Sequence, residues 1–401
     1  MKANKVDNLL LSIIVFLTFL GFYAILLLSI SAGMSGYTRQ VTIPIRVIIG
    51  VSCLILYIKA FKNKAAHLKW FALFVIIYLT RVFFDFIKGE YFYIEYSHLV
   101  FYFLSFIVIP FLSLSKLDYS KINILKLYNV FLFSSLTFSL LSILLYGRFI
   151  GEVGRLNTST AGEDVISPLI LSYCGSLIIG VSSTYLIYNR KEKKAVKYLS
   201  IISILLAAVP FFLGASRGSL FAIFFPFVIL FLIDFSIKNI FSYTFLFIIL
   251  IVGIVYLDNY FGSGLLDRFL GTTEAIETGS SSASRIGIWK KSFSQFLYHP
   301  FFGDKLNTEG VNHYPHNIYI EVLQTTGIIG FIPFIFLILK GIIASIRIFK
   351  KHLVYAWIPI FFLQAMMQNM FSGALYTGAW FWTSLALVIG IDMWLNKVNI
   401  K

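Results

Sequence analysis

Apolar blocks of about 20 residues, joined by short charged connections, recur along almost the whole chain, and that is the length an α-helix needs to cross the hydrocarbon core of a bilayer. In hydrocarbon every backbone N–H and C=O must be satisfied within the segment, so blocks of this length can cross only as helices. Of the 401 residues, 59% are hydrophobic and only 13% charged, against about a quarter charged in a soluble domain. A soluble fold is therefore excluded. About twelve spans can be counted, at roughly 9–30, 43–60, 70–87, 98–115, 127–146, 167–188, 198–215, 218–235, 240–257, 317–339, 353–372 and 377–395. Leu9–Ile30 is too long for a signal-peptide core and lacks a clear small-residue cleavage site, so it reads as a signal anchor and first span. The expected fold is an all-α polytopic membrane protein.

The net charge of +15 does not point to nucleic acid, because it sits where topology is encoded. With a cytoplasmic N-terminus (Lys2, Lys5), every second loop is basic. These loops hold Lys59, Lys62, Lys64 and Lys69, then Lys116, Lys121 and Lys126, then Arg190, Lys191, Lys193, Lys194 and Lys197. Lys238 follows, then Arg347, Lys350 and Lys351, and finally Lys397 and Lys401, which also makes the C-terminus cytoplasmic. Three regions result: spans 1–9 over 1–257 with an external loop at 147–166, a long external loop at 258–316, and spans 10–12 over 317–401. Within the long loop, Ser284–Tyr298 reads as an amphipathic helix lying in the membrane interface, with Trp289, Phe293, Phe296 and Leu297 on one face and Pro300 as its stop. No internal repeat is evident. Cys53 and Cys174 both fall inside spans and read as packing residues.

Arginine and lysine are segregated. The expected cytoplasmic loops use Lys almost exclusively, whereas the outer half carries Arg39, Arg46, Arg81, Arg148, Arg155, Arg217, Arg268 and Arg285. Topology requires only positive charge inside. Arg outside calls for another reason, and its planar fork binds phosphate through two hydrogen bonds while keeping its charge when partly desolvated. Each position has a plainer alternative. Arg81 has Asp85 one helical turn away, which leaves an ion pair and a ligand site equally open. Arg46 can snorkel to the interface. Arg217, in Gly-Ala-Ser-Arg-Gly between spans 7 and 8, has small neighbours that would let a phosphate approach, which favours a functional role.

Histidines divide by side as well. His67 and His352 belong to cytoplasmic loops and are expected to be solvated, while His98, His299, His313 and His316 lie outside. In Asn312-His-Tyr-Pro-His-Asn317, Pro315 suits a helix start and places His316 in the first turn. There it could take a proton from a sugar hydroxyl near neutral pH, or simply bond a nearby carbonyl. No metal-ligand spacing, Gly-x-Ser-x-Gly or phosphate-binding glycine loop is found, and no cytoplasmic loop could house a nucleotide domain. An arginine-lined outer face beside a candidate base suggests a lipid-linked phosphate substrate.

Three stretches carry a resemblance. His316-Asn-Ile-Tyr-Ile-Glu-Val-Leu-Gln-Thr-Thr-Gly327-Ile-Ile-Gly330 resembles the His-Asn…Gly-x-x-Gly signature of the bacterial O-antigen ligase and polymerase superfamily. Ser216-Arg-Gly-Ser219 is similar to that superfamily's Ser/Thr-Arg-Gly/Ala hairpin. Ser284-Arg-Ile-Gly-Ile-Trp289, followed by His299-Pro-Phe-Phe-Gly303, resembles its Arg…Trp…Pro-x-x-Gly run. Arg148 and Arg155 fall in a less specific Arg/Gly loop. Thr325 departs from the pattern, standing where many relatives carry an acidic residue, which leaves His316 as the main candidate base.

The resemblance implies a C-type membrane glycosyltransferase of the bacterial cytoplasmic (inner) membrane, with its active site facing the outside or periplasm. Its donor would be a glycan on undecaprenyl pyrophosphate. Its acceptor would be a second lipid-linked glycan, making it an O-antigen or capsular polysaccharide polymerase, or a lipid A core, making it a ligase. A lipid-linked sugar flippase or transporter is the alternative from another class. Arg217 and Arg285, joined by Arg155 and Arg81, would neutralise the pyrophosphate. His316 would orient or deprotonate the acceptor hydroxyl, with His313 as its substitute. The implied enzyme uses no metal and no cofactor. Its partners would be the lipid bilayer, the glycan donor and acceptor, a chain-length regulator and a flippase, with no nucleic acid.

Overall fold

A computed structural model of the chain describes residues 4–34, 38–61, 63, 65–150, 156, 166–189, 193–233, 248, 251–270 and 281–398. The helices are α1 (Lys5–Thr18), α2 (Leu20–Ser31), α3 (Thr38–Ala60), α4 (His67–Ile87), α5 (Tyr96–Leu114), α6 (Ile124–Tyr146), α7 (Pro168–Tyr188) and α8 (Lys194–Gly214). They continue with α9 (Arg217–Ile233), α10 (Ile251–Phe261), α11 (Leu265–Leu270), α12 (Ser281–Tyr298), α13 (Ile318–Lys351), α14 (Trp357–Phe371) and α15 (Ala379–Val398). Among the described residues the only β-type pairing is a single bridge between Thr308 and His313.

Seven of these helices (α3 to α8 and α13) are long and apolar enough to cross a membrane, and an eighth results if α1 and α2 are taken together. The first span is not the continuous helix expected, because α1 and α2 meet at Phe19 with a bend of 58°. α9 and α10 are apolar but shorter. Most of the expected span at 240–257 lies outside the described residues; α10 covers its end. Among the described residues of the long loop expected at 258–316 are the end of α10, α11 and α12, the last running over Ser281–Tyr298 where a helix was expected over Ser284–Tyr298.

The chain divides into two units assembled from separate segments. The first comprises Met1–Ser52, Tyr119–Leu270 and Ser345–Met367; the second comprises Cys53–Asp118, Gly271–Ala344 and Gln368–Lys401. In the first, α7 packs along α8 and α9, and α6 along α2 and α8. Small residues permit the close approach that helix association in a membrane relies on. A Cβ on Gly175 of α7 would meet the Phe211 Cβ at 2.7 Å, and one on Gly214 would meet the Pro168 carbonyl at 2.2 Å. Aromatic side chains fill the remainder. Tyr128 and Tyr185 stack at 3.4 Å, and Phe361 contacts both Phe19 and Phe131.

The second unit is built around Trp382 of α15, which is fully buried. Phe71 and Phe74 of α4, Phe111 of α5 and Phe334 of α13 all lie with ring centroids within 6 Å of it. His67 is also buried in this unit, edge-on to Phe111, rather than solvated as its loop position suggested. α4 begins at His67 itself, so its first turn is already inside the aromatic core.

Candidate active site

α13 breaks at Gly327, where φ is 60° and ψ −163°, a conformation that costs any residue with a Cβ. The break displaces two helical hydrogen bonds, and each orphaned group finds a new partner. The N–H groups of Ile328 and Ile329 donate to the carbonyls of Pro300 (2.8 Å) and Phe301 (3.2 Å) instead of to the helix. The freed carbonyl of Gln324 accepts from the Asp304 N–H at 2.8 Å, and that of Thr325 from Arg81 Nε at 3.1 Å. Two glycines interlock at this contact. A Cβ on Gly327 would meet the Phe301 carbonyl at 2.4 Å, and one on Gly303 the Thr325 backbone at 2.4 Å. The Pro300…Gly303 run and the Gly327…Gly330 signature are thus two halves of one backbone junction.

Arg81 closes that junction. Its Nη2 donates to the carbonyls of Phe302 and Gly303, both at 3.1 Å, and its Nη1 stands 3.5 Å from Asp85 Oδ1. The ion pair considered from the sequence is present. The pyrophosphate role expected of Arg81 meets a guanidinium already engaged by four acceptors. Asp85 is occupied too, its Oδ2 accepting from the Leu306 N–H at 2.8 Å.

Beyond Gly303 the chain is held by a buried polar network. Gln295 of α12 donates to Asp304 Oδ2 (2.6 Å) and accepts from the Glu309 N–H (3.1 Å), while Ser292 and Thr308 share a 2.7 Å bond. Gln324 donates to the Lys305 carbonyl at 3.0 Å. Thr308 then receives the chain back, its N–H donating to the His313 carbonyl at 2.9 Å. Polar groups buried and satisfied in this way fix a single loop conformation.

The loop delivers His313 and His316. Trp289 Nε1 donates to the Pro315 carbonyl at 2.9 Å, and Asn317 Oδ1 accepts from the N–H groups of Tyr319 (3.0 Å) and Ile320 (3.2 Å). Asn317 is therefore the N-cap of α13. His316 precedes the helix, not in its first turn as expected, and has φ of +57°, a sparsely populated conformation for a residue with a side chain. Its ring stacks on His313 at 4.8 Å and lies 4.5 Å from Tyr314. Burial pushes its pKa down to about 4, with smaller contributions from His313 and the Arg285 guanidinium. The imidazole is therefore neutral at physiological pH, with a lone pair available. Burial likewise pushes the Tyr314 hydroxyl up to about 12, so it remains a donor.

Arg285 and Trp289 share the face of α12 that turns toward the protein, together with Ser292 and Phe296, at spacings of four, three and four residues. Phe293 and Leu297, expected on the same face as Trp289, point outward and are exposed. Arg285 Nη1 donates to the Phe371 carbonyl, the last of α14, at 3.0 Å. Among the described residues no carboxylate pairs with it.

The structure thus brings together His313, His316 and Arg285, and holds Arg81 in the backbone junction. Arg217 belongs to the first unit, where it opens α9. The small residues around it serve packing: Ser172 bonds Ser219 at 2.6 Å and accepts from the Ser216 N–H at 3.3 Å. Arg155 lies outside the described residues. Two further groups went unremarked in the sequence. Glu321, one turn into α13 and buried, accepts from the Leu375 N–H at 2.9 Å; an acidic residue within an apolar span was the available signal. Tyr93 stacks on His313 at 4.4 Å, and its signal was the aromatic run Tyr91-Phe-Tyr-Ile-Glu-Tyr96.

No curated protein and no solved structure gives a significant match to the chain. A family model does, the one described as O-antigen ligase, over residues 201–335. That stretch runs from α8 through α12 and the loop to the first half of α13, and takes in the Arg217 hairpin, Arg285, both histidines and both halves of the glycine junction. The match over residues 201–335 supports the resemblance to the O-antigen ligase/polymerase superfamily.

Proposed function

We propose that the protein is a membrane glycosyltransferase that polymerises undecaprenyl-pyrophosphate-linked oligosaccharide repeat units into O-antigen or capsular polysaccharide, on the outer face of a bacterial cytoplasmic membrane. The observation that carries this reading is the stacked pair His313 and His316, fixed by Trp289 and the Asn317 cap and within electrostatic reach of Arg285, inside the segment that matches the family. The acceptor hydroxyl oxygen attacks the anomeric carbon of the donor, and the bond from that carbon to the phosphate oxygen breaks. The pyrophosphate takes the bonding pair and the hydroxyl proton passes to the His316 imidazole. A leaving pyrophosphate needs its growing charge neutralised more than it needs a proton. Arg285 supplies that charge on this reading. Arg81 acts through the backbone it clamps. An imidazole of low pKa is a weak base, so His316 contributes mainly by orienting the hydroxyl and receiving its proton late in the transfer.

Transfer to a lipid A core is the second reading, favoured by the description of the matching family as O-antigen ligase. One experiment tests both. In cells lacking the endogenous enzyme, the wild-type chain should restore long polymer. His316→Ala and Arg285→Ala, at equal membrane abundance, should lower transfer about a hundred-fold or more and leave single lipid-linked repeat units outside. Single units transferred to a core with no polymer would make the protein a ligase. Normal polymer from His316→Ala would remove the histidine from the mechanism.

A further inference from the structure

The rings of Tyr93, His313 and His316 form a continuous ladder, with centroids 4.4 and 4.8 Å apart and planes within 21° and 23° of parallel. Tyr93 stands at its outer end, on the connection between α4 and α5. Its other ring neighbours, Phe92, Tyr314 and Tyr376, are tilted by 40–54°. Tyr93 remains half-buried, and Tyr91, two residues earlier, is 65% exposed. The connection is anchored at both ends. The Tyr96 hydroxyl donates to the Glu90 carbonyl at 2.8 Å, and Asn307 Nδ2 donates to the carbonyl of Tyr91. Two carboxylates flank the aromatics: Glu90, half-buried, and Glu95, exposed and 3.6 Å from His98 Nδ1.

An anchored aromatic face with carboxylates on the same short connection has the chemistry of a carbohydrate platform. One face of a pyranose is a patch of C–H groups made electron-poor by the ring oxygens, which suits the negative face of an aromatic ring. The hydroxyls around its edge suit carboxylate acceptors. We propose that Tyr93, with Tyr91, Glu90 and Glu95, forms a glycan-binding subsite that holds an outlying sugar of the acceptor while the reacting hydroxyl reaches His316. Two ring stackings separate Tyr93 from His316, so the sugar on Tyr93 is not the one that reacts. The inference rests on the glycosyltransferase reading and adds to it the element that grips the acceptor. It also assigns a use to an aromatic run that neither the proton transfer nor the pyrophosphate contacts require.

Binding can be tested apart from catalysis. The probe is the oligosaccharide released by mild acid from the cell's own lipid-linked pool. Its binding to the full-length protein in lipid nanodiscs is read by saturation-transfer NMR, with polymer formation in cells measured in parallel. Tyr93→Ala should bind about tenfold more weakly, as expected for the loss of one aromatic face, whereas Tyr93→Phe should bind like wild type. Polymer from Tyr93→Ala should be shorter, with an acceptor KM raised and kcat nearly unchanged. Tyr91→Ala, at an exposed side chain, gives a second variant with little risk to folding and should also weaken binding. Equal binding by wild type, Tyr93→Ala and Tyr91→Ala overturns the subsite and leaves the transferase reading intact. Wild-type protein that makes polymer without binding the probe overturns the subsite as well. If wild type neither binds the probe nor makes polymer, the transferase reading falls and takes the subsite with it.

Discussion

A histidine fixed at φ of +57°, between a proline whose carbonyl is held by Trp289 and an asparagine that caps the next helix, has little freedom to reorient. That rigidity and its burial set its acid–base behaviour. The ordinary imidazole pKa is about 6.5, and in the fold it falls to about 4. Between these two values the unfolded chain binds more protons than the folded one, so acidification through this window costs stability, and the loss is complete below pH 4. The same neutral form is the one able to receive a proton. The acid limb of kcat/KM, which reports the free enzyme, should therefore have its midpoint below pH 5. A transfer assay on isolated membranes between pH 4 and 8 measures it, and a midpoint at pH 6 or above would show that His316 is not the titrating base. Arg81 behaves differently. Arg81→Ala leaves three carbonyls short of a donor and the buried Asp85 without its cation; truncating one partner of such a pair costs about 3–5 kcal/mol. The expected result is a marked fall in thermal stability, with activity lost in proportion to folded protein. Arg81→Lys should rescue little, because a single ammonium cannot reproduce the fork. Full thermal stability with abolished transfer would return Arg81 to the pyrophosphate.

At the scale of elements, the decisive object is the broken helix α13. Its apolar pattern was legible in the sequence, and so were the glycines at 327 and 330. The reason for those glycines was not. The break is made good by residues 300–304, some two dozen positions earlier, and by Arg81, 244 residues away, and no local pattern encodes such a partner. The same holds for His316, where Pro315 pointed to a first-turn position and the Asn317 cap moved the helix start past it. For α12 the periodicity placed Phe293 and Leu297 with Trp289. The stripe that actually packs includes the polar Arg285 and Ser292, which a hydrophobicity count passes over. The junction predicts its own fragility. Gly327→Ala brings a Cβ against the Phe301 carbonyl at 2.4 Å, and the positive-φ extended backbone there, a region essentially restricted to glycine, costs about 1–3 kcal/mol with a side chain present. Gly330→Ala also crowds Thr326, whose hydroxyl and Cβ both stand in the way, but Gly330 is not at positive φ, so it is expected to be milder by the backbone cost. Thermal unfolding in detergent should rank Gly327→Ala well below Gly330→Ala, and the reverse order would remove the junction as the source of the glycine pattern.

For the whole molecule, the apolar blocks settled the all-helical membrane class, while their number is less plain in the fold. Among the described residues seven helices meet the length and hydropathy needed to span, and the bent α1–α2 pair adds one more. α9 falls short at 17 residues and α14 at 15. A count of apolar blocks treats a bent or shortened helix as a full crossing, and that is where the two descriptions part. Orientation rests on the lysine-rich loops, and it decides on which side of the membrane His316 would meet the proposed acceptor. The two cysteines make it measurable. Cys53 and Cys174 are both free and buried, so they give a membrane-impermeant maleimide little to react with. Glu309, on the loop that carries the histidines, and Lys350, at the end of α13, are both exposed. Glu309→Cys should be labelled in spheroplasts, and Lys350→Cys only after the membrane is opened. The opposite pattern would turn the site toward the cytoplasm. A pyrophosphate-linked glycan would then have to react before its export, and the lysine distribution would need an explanation other than topology.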